Sequence, residues 1–382
     1  MDKSVDKEFP VFSPGLEGVI AGTSSICDLS DTADLFYRGY SIQDLAKNAT
    51  YEEVAYLLLL GKLPNRKELE EFASEFAKKR VLPDGVVSII HKLPKNSHPM
   101  DVLRTGVSLL GLYDGKHQDT SKEANLERVT NLIAQVPVLL TDFYRYTHGL
   151  KNIGADKALN NAENLLYMLT GKRPDELWTE VFDVSMILYA EHELNASTFS
   201  ARVTASTLTD IYSAITSAIG TLRGPLHGGA NEAVAKMLLE IGDAGKAEAW
   251  VKAALSRKQR VMGFGHRIHR TVEDPRSAII KKYARELGEH TGNTKWYDIC
   301  VVIEDEMRKQ KNLYPNLDLY TAVVYLLMGI PIELYTPIFV CSRLAGWSAH
   351  VIEQQENNRL IRPRSIYTGP KNLQYLQLDE RP

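Results

Sequence analysis

The pattern of apolar and polar positions reads as helix after helix. Thr50 precedes Tyr51, Glu52 and Glu53, a capping-box start, and apolar positions continue to Leu60 before Gly61. Asn65, with Glu68 three positions later, opens a second helix whose Leu69, Phe72 and Phe76 form one apolar stripe for core packing. Residues 176–222 contain few breakers and are rich in Ala, Ser and Thr. Ile, Val, Leu and Tyr recur through that stretch at helical spacing. This argues for buried helices that approach closely, as at a subunit interface, and against a flexible linker. Their hydroxyls can bond back to helix carbonyls. Segments of period 2 are scarce. Residues 16–26 and 364–367 are the two that could pair locally as strands. With no internal repeat, low-complexity tract or strong linker, the pattern predicts an all-α fold.

Bulk properties narrow the function without naming it. A chain of 382 residues suits one large domain plus a smaller one. Hydrophobic residues make up 44%, enough for a sizeable core. The formal net charge of −3 argues against nucleic acid as a partner, although local basic clusters could still hold a small polyanion. Three widely spaced cysteines, Cys27, Cys300 and Cys341, are neither a disulfide framework nor a zinc site, and read as buried or idle thiols of a reducing cytoplasm. Residues 1–10 mix Asp, Glu and Lys, unlike a secretory or transit segment. The longest apolar run, about residues 319–332, is interrupted by Gly329 and Pro331 and is too short to cross a bilayer. The expectation is a cytoplasmic protein without a membrane partner.

Four separated segments carry candidate chemistry. In Gly224-Pro225-Leu226-His227-Gly228-Gly229-Ala230-Asn231, Gly224-Pro225 should stop a helix, and the glycines leave backbone N–H groups open to a ligand beside His227. A histidine at such a boundary is poorly placed for core packing. The second segment, Val261-Met262-Gly263-Phe264-Gly265-His266-Arg267-Ile268-His269-Arg270, is preceded by Lys258 and Arg260 and followed by Asp274-Pro275-Arg276. Its Gly-x-Gly lacks the third glycine and the preceding strand of a dinucleotide fingerprint. Its cations are either a solvated basic loop or a phosphate grip, and Arg276 could hold a carboxylate through two parallel bonds. In Tyr314-Pro315-Asn316-Leu317-Asp318-Leu319, composition alone favours a helix-capping role for Asp318. In Cys341-Ser342-Arg343-Leu344-Ala345-Gly346-Trp347, Arg343 lies in an apolar helix and needs an anionic partner, from protein or ligand. Arg362 follows in a short basic run. His192, inside the small-residue helices, reads as structural on its own.

Together these motifs resemble the citrate synthase family over nearly the whole chain, from Gly15-Leu16-Glu17-Gly18-Val19 and Tyr37-Arg38-Gly39-Tyr40 to Tyr367-Thr368-Gly369-Pro370. The style is that of the short bacterial and archaeal branch, which includes 2-methylcitrate synthases. The resemblance implies an all-α homodimer. It places a large domain at residues 1–227 and 333–382 and a small domain at residues 228–332. It implies condensation of acetyl-CoA with oxaloacetate, with propionyl-CoA as the alternative acyl donor, and no metal or redox cofactor. Asp318 then matches the base that deprotonates the acetyl methyl group. His227 matches the donor to the thioester oxygen, and His266 the donor to the ketone of oxaloacetate. His192, Arg276, Arg343 and Arg362 match the oxaloacetate shell, with Arg362 reaching across the dimer. Val261, Met262, Gly263, Phe264 and Gly265 match the loop that holds the adenine of CoA, and Lys258, Arg260 and Arg270 its phosphate contacts. From His266 to Arg276 the count is ten where the family usually has nine, so one extra residue lies between two of these ligands.

Overall fold

The computed structural model describes residues 12–29, 34–265 and 273–382. Among them are sixteen α-helices: α1 (Ile42–Asn48), α2 (Tyr51–Leu60), α3 (Arg66–Lys79), α4 (Asp84–Ile90), α5 (Pro99–Leu112), α6 (Lys122–Thr147), α7 (Asn161–Thr170), α8 (Glu176–Tyr189), α9 (Ala196–Ala205), α10 (Ile211–Leu222), α11 (Ala230–Ile241), α12 (Ala244–Ser256), α13 (Pro275–His290), α14 (Lys295–Lys311), α15 (Leu317–Leu327) and α16 (Tyr335–Glu356). The all-α expectation holds. The local start signals hold too. Thr50 accepts from the Glu53 backbone N–H while the Glu53 carboxylate accepts from that of Thr50, and Asn65 and Glu68 do the same at α3.

The strands lie elsewhere than expected. β1 (Cys27–Leu29), β2 (Leu35–Tyr37) and β3 (Tyr40–Ser41) form a small antiparallel sheet in that order. Cys27 faces Tyr37, and Tyr37 faces Tyr40. Arg38 and Gly39, both at positive φ, make the two-residue turn between β2 and β3. Residues 16–26 and 364–367 form no strand. Their alternation lacks a partner edge, and Ile20 is left 90% exposed.

The core is organised around α16. It is buried from Tyr335 to Ile352 on every side, and it packs against α2, α5, α6, α8, α9, α10 and α11. The Ala/Ser/Thr-rich stretch becomes α8, α9 and α10. α10 lies closely against α9 and α5, as small residues permit. Helices α11 to α15 pack chiefly on one another, with α13 and α15 also touching α8. No helix among the described residues is long and apolar enough to cross a membrane. All three cysteines are free thiols.

Candidate active site

One face of α16 organises the site. Arg343, Gly346, Trp347 and His350 stand at i, i+3, i+4 and i+7, so they share a side of the helix. That side meets the segment that leaves α8 and enters α9, residues 189–197. The Arg343 Nε–H donates to the Tyr189 carbonyl oxygen. Gly346 lets α16 approach the Ala190 and Glu191 backbone and side chain, where an added Cβ would sit 2.2 Å from the Ala190 carbonyl oxygen. Trp347 Nε1–H donates to Ser197 Oγ at 3.1 Å.

Asp318 is the second residue of α15 and is not its cap. Asn316 caps the helix, accepting from the Asp318 backbone N–H at 3.1 Å. The capping role that composition favoured for Asp318 therefore fails. Two residues of the same capping class sit two positions apart, and only the first faces the free N–H groups. Freed from that duty, the Asp318 carboxylate turns inward, where its Oδ1 accepts from the Tyr189 hydroxyl at 2.6 Å. Its pKa is pushed up to about 6, because burial penalises the charged form. The Tyr189 hydroxyl and the charges of Arg276 and Arg343 act the other way. A half-buried carboxylate balanced near neutrality, facing cations, is a base that is stronger than a solvated carboxylate and still ionised at neutral pH.

His227 lies in the turn between α10 and α11, and its environment fixes which nitrogen carries the proton. The Ser197 backbone N–H, which can only donate, points at Nε2 at 3.3 Å, and Ser197 Oγ is 2.7 Å from the same atom. Nε2 therefore accepts, and the ring proton sits on Nδ1. Burial, followed by the nearby Arg343 charge, lowers the pKa to about 4. His227 is accordingly a neutral donor through Nδ1–H.

The arginines are arranged unequally. Arg276, 5% exposed, lies in the first turn of α13 and is already engaged by Asp274, with Nε–H donating to Oδ1 at 3.1 Å and Nη2–H to Oδ2 at 2.8 Å. Its two-bond grip is thus made within the chain. Arg343, 2% exposed, has no carboxylate within 4 Å among the described residues. Its guanidinium lies over the Phe339 ring, and burial lowers its pKa. A buried cation without a contacting anion is an anion site prepared for a ligand. His192 is buried, three residues beyond Tyr189. Arg362 is exposed on the extended segment after α16 and forms no hydrogen bond or ion pair with another described residue.

The glycine loop is fastened to the Asp318 helix. The Asn316 backbone N–H donates to the Gly263 carbonyl oxygen at 2.9 Å, and Asn316 Nδ2 donates to that of Gly265 at 3.3 Å. Phe264 bridges to Pro315. Gly263 has φ 83°, and an added Cβ would lie 2.9 Å from Leu319 Cδ1, so glycine is required twice over. Val261 and Phe264 are buried, Met262 is half-buried, and Gly265, Lys258 and Arg260 are exposed. His266 and Arg270, with most of the ten-position span to Arg276, lie outside the described residues.

Tyr189, Ser197, Trp347, Glu191 and His350 carry no role in the sequence reading. For the α16 residues the available signal was the spacing of Arg343, Gly346 and His350 at i, i+3 and i+7, polar or small positions on one face of a largely apolar helix. Among the described residues, no group of three or more His, Cys, Asp or Glu side chains is arranged to hold a metal ion.

Comparison with known proteins gives the family. The profile of the family described as citrate synthase, C-terminal domain, matches residues 15–364. The citrate synthase of Haloferax volcanii is 49% identical, with the match covering 96% of this chain and 98% of that one. The 2-methylcitrate synthase of Shewanella oneidensis is 44% identical, covering 93% and 94%. A solved citrate synthase from Thermoplasma acidophilum, in a ternary complex with carboxymethyl coenzyme A and oxaloacetate, superposes with a TM-score of 0.91 at 33% identity, covering 97% of this chain and all of that one. The chain belongs to the citrate synthase family, enzymes that condense acetyl-CoA with oxaloacetate.

Proposed function

We propose that Asp318, His227 and Arg343 form the working centre of a citrate synthase in this chain. Asp318, through the carboxylate oxygen not engaged by Tyr189, takes a proton from the acetyl methyl group of acetyl-CoA. The enolate oxygen that develops accepts from His227 Nδ1–H, a donor already neutral and in the required tautomer, so no proton has to be rearranged as charge forms. The enolate carbon attacks the ketone carbon of oxaloacetate, and the ketone oxygen receives its proton from His266. Hydrolysis of the citryl-CoA thioester releases citrate and CoA. Arg343 and Arg276, with His192, hold the carboxylates of oxaloacetate, and Arg362 joins them across a homodimer interface. Residues 261–265 seat the adenine of CoA, with Lys258, Arg260 and Arg270 at its phosphates. Residues 228–332 act as the smaller domain that closes on the larger one, excluding water from the enolate.

The observation that carries this reading is the pairing of Asp318, pushed up to about 6, with His227, pushed down to about 4. Their environments reverse the usual order of the two groups, so the carboxylate is the better proton acceptor and the imidazole stays a neutral donor. Relatives of similar identity bear the 2-methylcitrate synthase name, which favours propionyl-CoA as a second acyl donor. One methylene is worth only about 1–3 kcal/mol of discrimination in an apolar pocket. The test is release of CoA thiol with oxaloacetate and either acyl-CoA. A higher kcat/KM for acetyl-CoA supports the proposal, and the reverse preference reassigns the acyl donor while keeping the residue roles.

A further inference from the structure

The segment between α8 and α9 is the hub of the site. Tyr189 gives its hydroxyl to Asp318 and its carbonyl oxygen to Arg343, and His192 follows three positions later. Between them Glu191 points into the protein and is fully buried. Its Oε1 lies 3.0 Å from Nε2 of His350, itself fully buried, and its Oε2 is enclosed against Gly346 without a hydrogen-bond partner among the described residues. A carboxylate in that position needs whatever donor it has.

His350 is that donor, and its state is set from behind. Its Nδ1 lies 3.0 Å from Arg202 Nη1, and a guanidinium nitrogen only donates, so Nδ1 accepts and the ring proton sits on Nε2, facing Glu191. The same Nη1 donates to Glu353 Oε2 at 2.7 Å, and Arg202 Nε–H to Gln354 Oε1 at 3.1 Å. Glu353 in turn accepts from the Ser25 backbone N–H at 2.8 Å. Every link is oriented by the one behind it, so the chain Glu353–Arg202–His350–Glu191 has one self-consistent set of donors.

The geometry points to His350 as a positioning residue for the oxaloacetate half of the site, acting through Glu191 on the turn that carries Tyr189 and His192 and on the neighbouring Arg343. Glu191 supplies the foremost attractive field on the Arg343 guanidinium from beyond contact distance. Holding Glu191 in place therefore holds both the turn and the electrostatic setting of the prepared anion site. The role rests on the reading of Arg343 and His192 as oxaloacetate ligands.

The test compares two amides that differ by one methylene. His350→Gln can place an N–H where Nε2 stood, whereas His350→Asn falls short of Glu191. Calorimetric titration with oxaloacetate should show His350→Asn binding about tenfold more weakly and His350→Gln within about threefold of the parent protein. Acetyl-CoA KM should be unchanged in both. A role confined to stability would lower the melting temperature of both variants and leave oxaloacetate affinity alone. That result, or equal losses of oxaloacetate affinity in Asn and Gln, overturns the inference. If His350→Asn does not fold, Arg202→Gln carries the comparison from further out. A selective loss of oxaloacetate affinity supports the relay, and an unchanged affinity overturns it. Turnover of the parent protein, measured alongside, tests the proposed reaction separately.

Discussion

At the scale of the residue, the site is a set of side chains whose proton affinities are shifted by what surrounds them. Asp318 is raised to about 6 and must be ionised to act as a base, so kcat/KM for acetyl-CoA should climb about tenfold per pH unit below 6 and level off above it. His227, lowered to about 4, stays neutral throughout that range and adds no second limb there. A pH–rate profile checks this, and a flat profile between pH 5 and 7 would contradict the assignment. The same shift has a sign for stability. A carboxyl raised from 3.8 to about 6 contributes stability that is fully present below its unfolded value and is lost as pH rises through about 6. Residue identity alone was ambiguous here. Asn316 and Asp318 are both capping types, and which one faces the helix N–H groups depends on the chain's approach to α15. The Tyr189 hydroxyl, which reaches Asp318 from 129 positions away, was beyond any local pattern.

At the scale of the element, start signals were legible because they are local. A capping box is complete within four residues, and those at Thr50 and Asn65 form as read. The small sheet was misplaced because pairing needs a partner edge as well as alternation, and β2 offers its two edges only to residues 27–29 and, through the Arg38-Gly39 turn, to residues 40–41. The polar face of α16 was partly legible. Arg343 announced itself as a buried cation, whereas Gly346 and His350 gained meaning only once residues 189–197 lay against them. Gly346→Ala places a methyl 2.3 Å from Glu191 Oε2 as well as against the Ala190 carbonyl oxygen. Both α16 and the turn are buried there and the nearest atom is backbone, so overpacking should cost about 1–3 kcal/mol. Equilibrium denaturation measures it, and an unchanged midpoint would show that the two elements yield.

At the scale of the whole molecule, the all-α architecture and the order of the motifs were readable, since both follow from helical periodicity and a few specific strings. The assembly of the site was not, because its parts come from α8, α9, α15, α16 and the α10–α11 turn. The proposed role of Arg362 extends this across chains. It is exposed beyond α16, and the proposed reading brings it to the partner's site. Two inactive variants should then complement one another. Refolding Asp318→Asn together with Arg362→Ala as an equal mixture gives mixed dimers with one intact site, recovering about a quarter of the parent activity. No recovery from demonstrably mixed dimers would place Arg362 in its own chain's site or outside the chemistry.

The central claim is that Asp318 takes the proton that starts the condensation. Its most direct test is oxaloacetate-dependent CoA thiol release by the parent protein and by Asp318→Asn, with oxaloacetate affinity measured on both. The account predicts a fall of about 10²–10⁴-fold in kcat with oxaloacetate still bound. An Asp318→Asn protein that keeps more than about a tenth of the parent rate, well above the loss a general base implies, would contradict it.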